Sequence, residues 1–188
     1  IPHVNNFSEP KTLKERNELI AKYPDSSNGD WSRTGLTQEE QEMVLGLTPR
    51  LKEMFQRYHL EYHIQKAFYK QNHHIMIGAH IEEGIYGPLY FGYGGTGQKG
   101  ERRKTMRSFE EQILEIAPDT VLILIKARPE VIKERMHKQA HENGCLKEKD
   151  IEYVLKRFDE EYQASLLKNK FTIDTSASEI GESFEELI

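Results

Sequence analysis

Val121-Leu-Ile-Leu-Ile125 is an unbroken aliphatic run, set between Pro118-Asp119 and Lys126-Ala-Arg-Pro129. It has the length of a strand, and its uniformly aliphatic side chains predict burial on both faces, as in parallel strands of α/β sheets. Pro129 opens a helix reaching about residue 139, because a proline at the first helical position gives up an N–H that would have no partner anyway. Upstream, residues 101–116 carry Met106, Phe109, Ile113 and Ile116 at helical spacing. Downstream, His141-Glu-Asn-Gly144 is a turn, and residues 147–168 form an amphipathic helix with Ile151, Val154, Phe158 and Tyr162 on one side. Phe171-Thr-Ile-Asp174 is a short strand, and residues 179–187 form a last helix.

Further from the run the same alternation continues. His73-His-Ile-Met-Ile-Gly-Ala79 is a short apolar run that predicts a buried strand, and another strand precedes Phe7. Residues 23–33 (YPDSSNGDWSR) are a loop by composition. Thr37-Gln-Glu-Glu40 is a capping box. Apolar residues follow at Val44, Leu47, Leu51, Met54, Phe55 and Tyr58. Thr48-Pro49 starts a second helix reaching about residue 70, with Ile64, Ala67 and Phe68 inward. Strands alternating with helices imply a parallel sheet with right-handed crossovers, hence an α/β fold.

The whole sequence narrows the function classes. It has 188 residues, 37% hydrophobic and 30% charged, with net charge −5. The charged fraction is close to the globular norm of about 25% and argues against disorder of the whole chain. Mild acidity argues against a nucleic-acid polymer as partner. No window approaches 18 consecutive apolar residues, so no membrane partner is expected. The first ten residues, IPHVNNFSEP, lack the basic start and apolar run of a signal peptide. A single cysteine, Cys145, excludes an internal disulfide and predicts a cytoplasmic setting.

Open α/β sheets bind ligands at the carboxyl ends of their strands. Residues 5–10, 78–86, 126–128 and 174–178 hold those positions. Glu9, in Phe7-Ser-Glu-Pro10, is either a base for a substrate hydroxyl or a turn residue before a proline. Ala79-His-Ile-Glu-Glu-Gly-Ile-Tyr86 offers His80, Glu82 and Glu83, either to hydrated Mg²⁺ or a substrate, or as the start of a solvated loop. Arg128 and Arg135 are candidates for bidentate phosphate contacts. Arg102, Arg103, Lys104 and Arg107 follow the glycine loop GYGGTGQKG (92–100), where helix-start N–H groups attract phosphate. Gly92 and Gly97 have the spacing of G-x-x-x-x-G-K-[ST], but Gln98 stands at the lysine position; the loop is not that motif and is read as mobile. His59 and His63 lie one turn apart without an evident third ligand, so zinc is not expected. Cys145 has no histidine near it in sequence and is not read as a nucleophile. Phe55, Tyr58, Tyr62 and Phe68 are read as core rather than as a base-stacking platform.

In this order the segments resemble P-loop nucleoside and nucleotide kinases of the thymidylate kinase and deoxynucleoside kinase group. Phe7-Ser-Glu-Pro10 is similar to the family's Arg-Glu-Pro or Pro-Glu-Pro. Residues 62–70 with Ile75-Met-Ile77 resemble its helix and third strand. Glu82-Glu-Gly-Ile-Tyr86 is similar to its Glu-Arg-Ser segment, with Glu83 in the place of the arginine; in the register of Asp-Arg-Tyr, Ala79-His80 replaces Asp-Arg. Residues 121–135 resemble the fourth strand and the helix before the lid, with Arg135 on the pre-lid arginine. Residues 151–162 resemble the helix after the lid, and Phe171-Thr-Ile-Asp-Thr-Ser-Ala177 the last strand with its adenine-contacting loop.

The resemblance implies a three-layer α/β domain over residues 1–188, a parallel sheet with flanking helices and a lid at about 138–150. It implies ATP and Mg²⁺ as cofactors and γ-phosphoryl transfer to a nucleoside, nucleotide or other small-molecule acceptor. Glu9 becomes the base, Glu82 a metal or substrate ligand and Arg135 a phosphate contact. Trp31, His80, Glu83, Tyr86, Arg102 and Arg103 fall on the acceptor side. Arg128, Asp174, Thr175, Ser176 and Ala177 fall on the ATP side. A homodimer through paired helix faces is also implied. The family takes its phosphate cradle from the loop after its first strand. This sequence holds no such loop and starts at the family's second strand, so the expectation is a fragment lacking the first central strand and inactive by itself. Two other readings stay open: a kinase-like module that binds a nucleotide or partner without catalysis, and a sulfotransferase-like P-loop enzyme.

Overall fold

The computed structural model describes residues 3–5, 38–66, 75–138 and 144–177. The chain divides into two compact units, Ile1–His80 and Ile81–Ile188.

In the first unit β1 (His3–Asn5) pairs with β2 (Ile75–Ile77), His3 opposite Ile77 and Asn5 opposite Ile75. The pairing is antiparallel, which corrects the expected all-parallel sheet. Side-chain alternation fixes which residues share a face, not the direction of the neighbouring strand, and three residues suffice for an antiparallel ladder. Helices α1 (Gln38–Gly46) and α2 (Pro49–His63) fill the described interval between them. Thr48 is extended (φ −61°, ψ 154°), and Pro49 holds the first helical position, as its ring requires. The N–H of Lys52 closes the first turn on the Thr48 carbonyl at 3.0 Å. The helix ends at His63 rather than near residue 70; Ala67 and Phe68 lie outside the described residues.

α2 overturns a second expectation. Leu60 and Ile64 are buried, yet Leu51, Met54, Phe55, Tyr58 and Tyr62 are exposed, Tyr58 at 72%. The helix carries two apolar stripes, and spacing alone does not say which one meets the rest of the unit.

Among the described residues the expected strand at 73–79 is Ile75–Ile77. Gly78, at φ 77°, turns the chain directly into helix α3 (Ala79–Tyr86), where a strand-end loop was expected. A π-helical turn, Gly87–Phe91, follows.

The second unit continues with the glycine loop 92–100, α4 (Arg102–Ile116), β3 (Val121–Lys126), α5 (Pro129–Lys138), a 3₁₀ turn (Glu148–Asp150), α6 (Ile151–Ala164) and β4 (Asn169–Asp174). β3 and β4 are parallel, Val121 beside Asn169 and Lys126 beside Asp174. Ile81, Ile85, Met106 and Val154 form a core on which Leu122 and Phe158 pack. Each such side chain contributes about 1.5–3 kcal/mol by leaving water. The expected burial of β3 on both faces does not hold: Val121, Ile123 and Ile125 are 40–66% exposed. Alternate residues turn inward, and an all-aliphatic strand gives no sign of which face is the more exposed. Among the described residues each sheet has two strands, and the architecture is mixed α/β with a small parallel pair.

An ion network fastens α4 to α6. Glu110 and Glu161 are 0% and 1% exposed. Arg107 donates to Glu110 and Glu161, both at 2.6 Å, while Arg103 (2.9 Å) and Arg157 (2.6 Å) also reach Glu161. The Ser165 hydroxyl and the Leu166 N–H complete Glu110 at 2.7 and 2.8 Å. Full pairing is what makes two buried carboxylates tolerable.

Candidate functional site

The carboxyl edge of β3 and β4 gathers the largest group of sequence-predicted residues. Beyond Asp174 the Thr175 N–H donates to the Lys126 carbonyl at 2.8 Å, and its hydroxyl lies 3.0 Å from the same oxygen. Arg135 comes from α5: one guanidinium nitrogen reaches the Thr175 hydroxyl at 2.9 Å and the other its carbonyl at 2.6 Å. The Arg128 N–H donates to the Ser176 hydroxyl at 2.9 Å. The Ser176 N–H in turn donates to the Asp174 carboxylate at 2.8 Å, an Asx turn. The hydrogen bonds from Ser176, with the positive charges of Arg128 and Lys126, hold the Asp174 carboxyl below the usual range. Arg128, Arg135, Asp174, Thr175 and Ser176 thus share one polar edge, with Ala177 exposed beyond them. Guanidinium donors and hydroxyls placed there suit an anion or the polar edge of a heterocycle.

The acceptor-side residues are arranged differently. His80 and Glu83 are buried on α3. The Tyr93 hydroxyl donates to Glu83 at 2.8 Å, and Arg102 Nε lies 3.6 Å from the same carboxylate oxygen. Arg102 is itself buried, its guanidinium 5.3 Å from the centre of the Tyr93 ring. Its N–H donates to the Gly94 carbonyl at 2.9 Å. Glu83 and Arg102 therefore neutralise one another and pin the base of the glycine loop, while residues 96–100 at its tip are exposed. Arg103 is engaged with Glu161 beside an open concavity of about 520 Å³ between α4 and α6, lined also by Lys104, Arg107 and Ser108.

Glu82 and Tyr86 lie near enough to Cys145 for their charges to influence one another. Burial raises the carboxyl pKa of Glu82, and Glu83 adds to it. Burial, with the nearby Cys145 and Glu82, holds the Tyr86 phenol well above its usual range. Burial and the Glu82 charge likewise push up the Cys145 thiol, which argues against a nucleophile. Tyr86 packs edge-on against Phe158 at 6.0 Å, and the Tyr90 hydroxyl donates to Asp150 at 2.9 Å.

Glu83 has a pH signature. Burial raises its carboxyl pKa against the opposing pull of Tyr93 and Arg102. The native chain therefore binds a proton that the unfolded chain does not, in the window upward from the ordinary value of 4.5. Its contribution to stability is greatest at the acid side of that window and declines as pH rises through it. Urea unfolding from pH 4.5 towards neutrality should show this slope, and Glu83→Gln should make it shallower, leaving the part that the buried Glu82 contributes.

Glu9 and Trp31 lie outside the described residues. His59 and His63 rings meet at 4.5 Å, with His63 Nδ1 2.7 Å from the His59 carbonyl. Among the described residues no group of three metal-ligating side chains forms, and no described helix is long and apolar enough to cross a membrane. Sequence reasoning missed Tyr93, Glu110 and Glu161. The signal for Glu110 was present: it lies between Met106 and Ile113 on the buried face of its helix, where a carboxylate requires a cationic partner.

No protein-family model matches the sequence, and neither a curated protein nor a solved structure does.

Proposed function

We propose that this chain is the nucleotide-handling part of an ATP-dependent phosphotransferase acting on a nucleoside, nucleotide or other small hydroxyl or phosphate acceptor in a cytoplasmic setting. The observation that carries this reading is the meeting of Arg128, Arg135 and residues 174–177 at the carboxyl edge of β3 and β4. Arg128 and Arg135 supply cations for the phosphates, and Thr175, Ser176 and Ala177 lie against the base. Glu82 serves as the acidic group for Mg²⁺ or the acceptor; a single carboxylate suits an ion that keeps most of its waters. ATP supplies the transferable phosphoryl group. Phosphoryl transfer needs a lysine on the β/γ oxygens and a cradle of N–H groups, and the sequence contains no G-x-x-x-x-G-K-[ST]. The 188-residue chain is therefore expected to bind ATP without transferring from it.

Titration calorimetry tests this. Wild type should bind ATP, and Arg135→Ala should weaken binding about tenfold, the loss of one charge-assisted pair. Equal affinity in the variant, or no ATP binding by wild type, would overturn the reading.

The second reading, a kinase-like module that binds a nucleoside or a partner without catalysis, is favoured by Glu83. This residue replaces the family's arginine, and it is paired with Arg102 and Tyr93 inside the fold. Nucleoside binding without ATP binding would select it.

A further inference from the structure

We propose that Glu130 and Asp159 screen the carboxyl edge of β3 and β4 from anions, and that Lys126 is a third phosphate contact there, released when a polyphosphate displaces Asp159. This rests on the nucleotide reading of the same edge and gives that edge a built-in competitor. Three cations stand there. Lys126 ends β3, Arg128 follows it, and Arg135 reaches in from α5. Two of them are already matched. Lys126 Nζ lies 2.7 Å from the Asp159 carboxylate of α6, and Arg128 Nε lies 2.9 Å from Glu130 in the first turn of α5. Arg135 differs: its guanidinium holds the hydroxyl and carbonyl of Thr175, with no carboxylate partner among the described residues. Asp174 feels the charges of both Lys126 and Arg128. Counted with it, the edge carries three cations and three acids, and is neutral as it stands.

Both pairs are of the kind that exchanges. Their four side chains are 42–68% exposed, and a solvated pair is held by little more than thermal energy. Each acid therefore competes for the cation it covers, and a ligand's apparent affinity falls with the fraction of time that the cation is taken. A polyphosphate meets Arg135 first and then replaces the two carboxylates with its own oxygens. Asp174 stays in place, because the Ser176 N–H holds it at 2.8 Å.

Titration calorimetry of the whole chain with ATP at low ionic strength tests this. Asp159→Asn and Glu130→Gln should each tighten ATP binding about threefold, and the two together about tenfold. A loss of packing cannot produce a gain in affinity, so this outcome separates screening from a structural role. Lys126→Ala should weaken binding about threefold, and Asp159→Asn should add little in its presence. Glu115→Gln, on the last turn of α4 before the amino end of β3, removes the same charge elsewhere and should leave affinity unchanged. At about 0.5 M salt the gains should shrink, because exposed charges are screened. ATP binding that is unchanged or weakened in both acid variants overturns the proposal and leaves the nucleotide reading intact. So does a gain from Asp159→Asn that persists in full without Lys126. No ATP binding by wild type overturns both.

Discussion

Glu161→Ala should cost about 3 kcal/mol of stability and lower the melting temperature by roughly 6–12 °C. The carboxylate is almost wholly buried and takes hydrogen bonds from Arg103, Arg107 and Arg157 at once. Its removal leaves three guanidinium groups close together without the charge that holds them. Arg107 and Arg157 are mostly covered, at 23% and 16% side-chain exposure, so water only partly replaces the lost partner. Glu160→Ala provides the contrast. Glu160 also pairs with Arg157, but it is 40% exposed, and a solvated pair contributes only about 0–1 kcal/mol. Thermal unfolding of the two variants side by side checks the difference; equal losses would mean that the network adds nothing beyond its surface pairs.

Gly94→Ala should be nearly as damaging, at about 2–4 kcal/mol, for reasons of shape rather than charge. Gly94 sits at φ 76°, where a Cβ crowds the backbone. That Cβ would also overlap the Cγ of Arg102, which lies alongside. Arg102 cannot retreat, because its head is held beside Glu83 and against the Tyr93 ring. Gly97→Ala separates the two causes: it shares the positive φ, at 77°, but meets nothing within 4 Å. It should cost only the conformational part, about 1 kcal/mol. Gly46→Ala, in open space without a positive φ, should be close to neutral or slightly stabilising. Urea midpoints for the three variants should fall in that order.

What the sequence disclosed follows from the range of the forces involved. The start of α2 at Thr48-Pro49, the helix at 102–116 and the strand at 121–126 are encoded locally, by a fixed proline φ, a 3.6-residue period and an aliphatic run. The grouping of Arg135 with residues 174–176 was approachable because parallel strands align their carboxyl ends. The rest depends on partners distant in sequence. Nothing near His3 encodes that β1 runs against β2. Composition made Arg102 and Arg103 look like phosphate contacts, whereas Arg102 is committed to Glu83 on α3 and Arg103 to Glu161 on α6. Tyr58 and Tyr62 repeat as core residues do, and only the fold shows that their stripe faces outward.

The one-sided covering of β3 bears on the handling of the protein. Val121-Leu-Ile-Leu-Ile125 is a short, uncharged, proline-free segment of high strand propensity. Among the described residues only β4 pairs with it, and Val121, Ile123 and Ile125 already look outward. Asp119 and Lys126 are the only charges at its ends, the position of gatekeepers against cross-β stacking. Any condition that loosens β4 therefore releases a ready template for fibrils. Destabilised forms of this chain should fail first by aggregation, seeded at residues 121–125, rather than by simple unfolding.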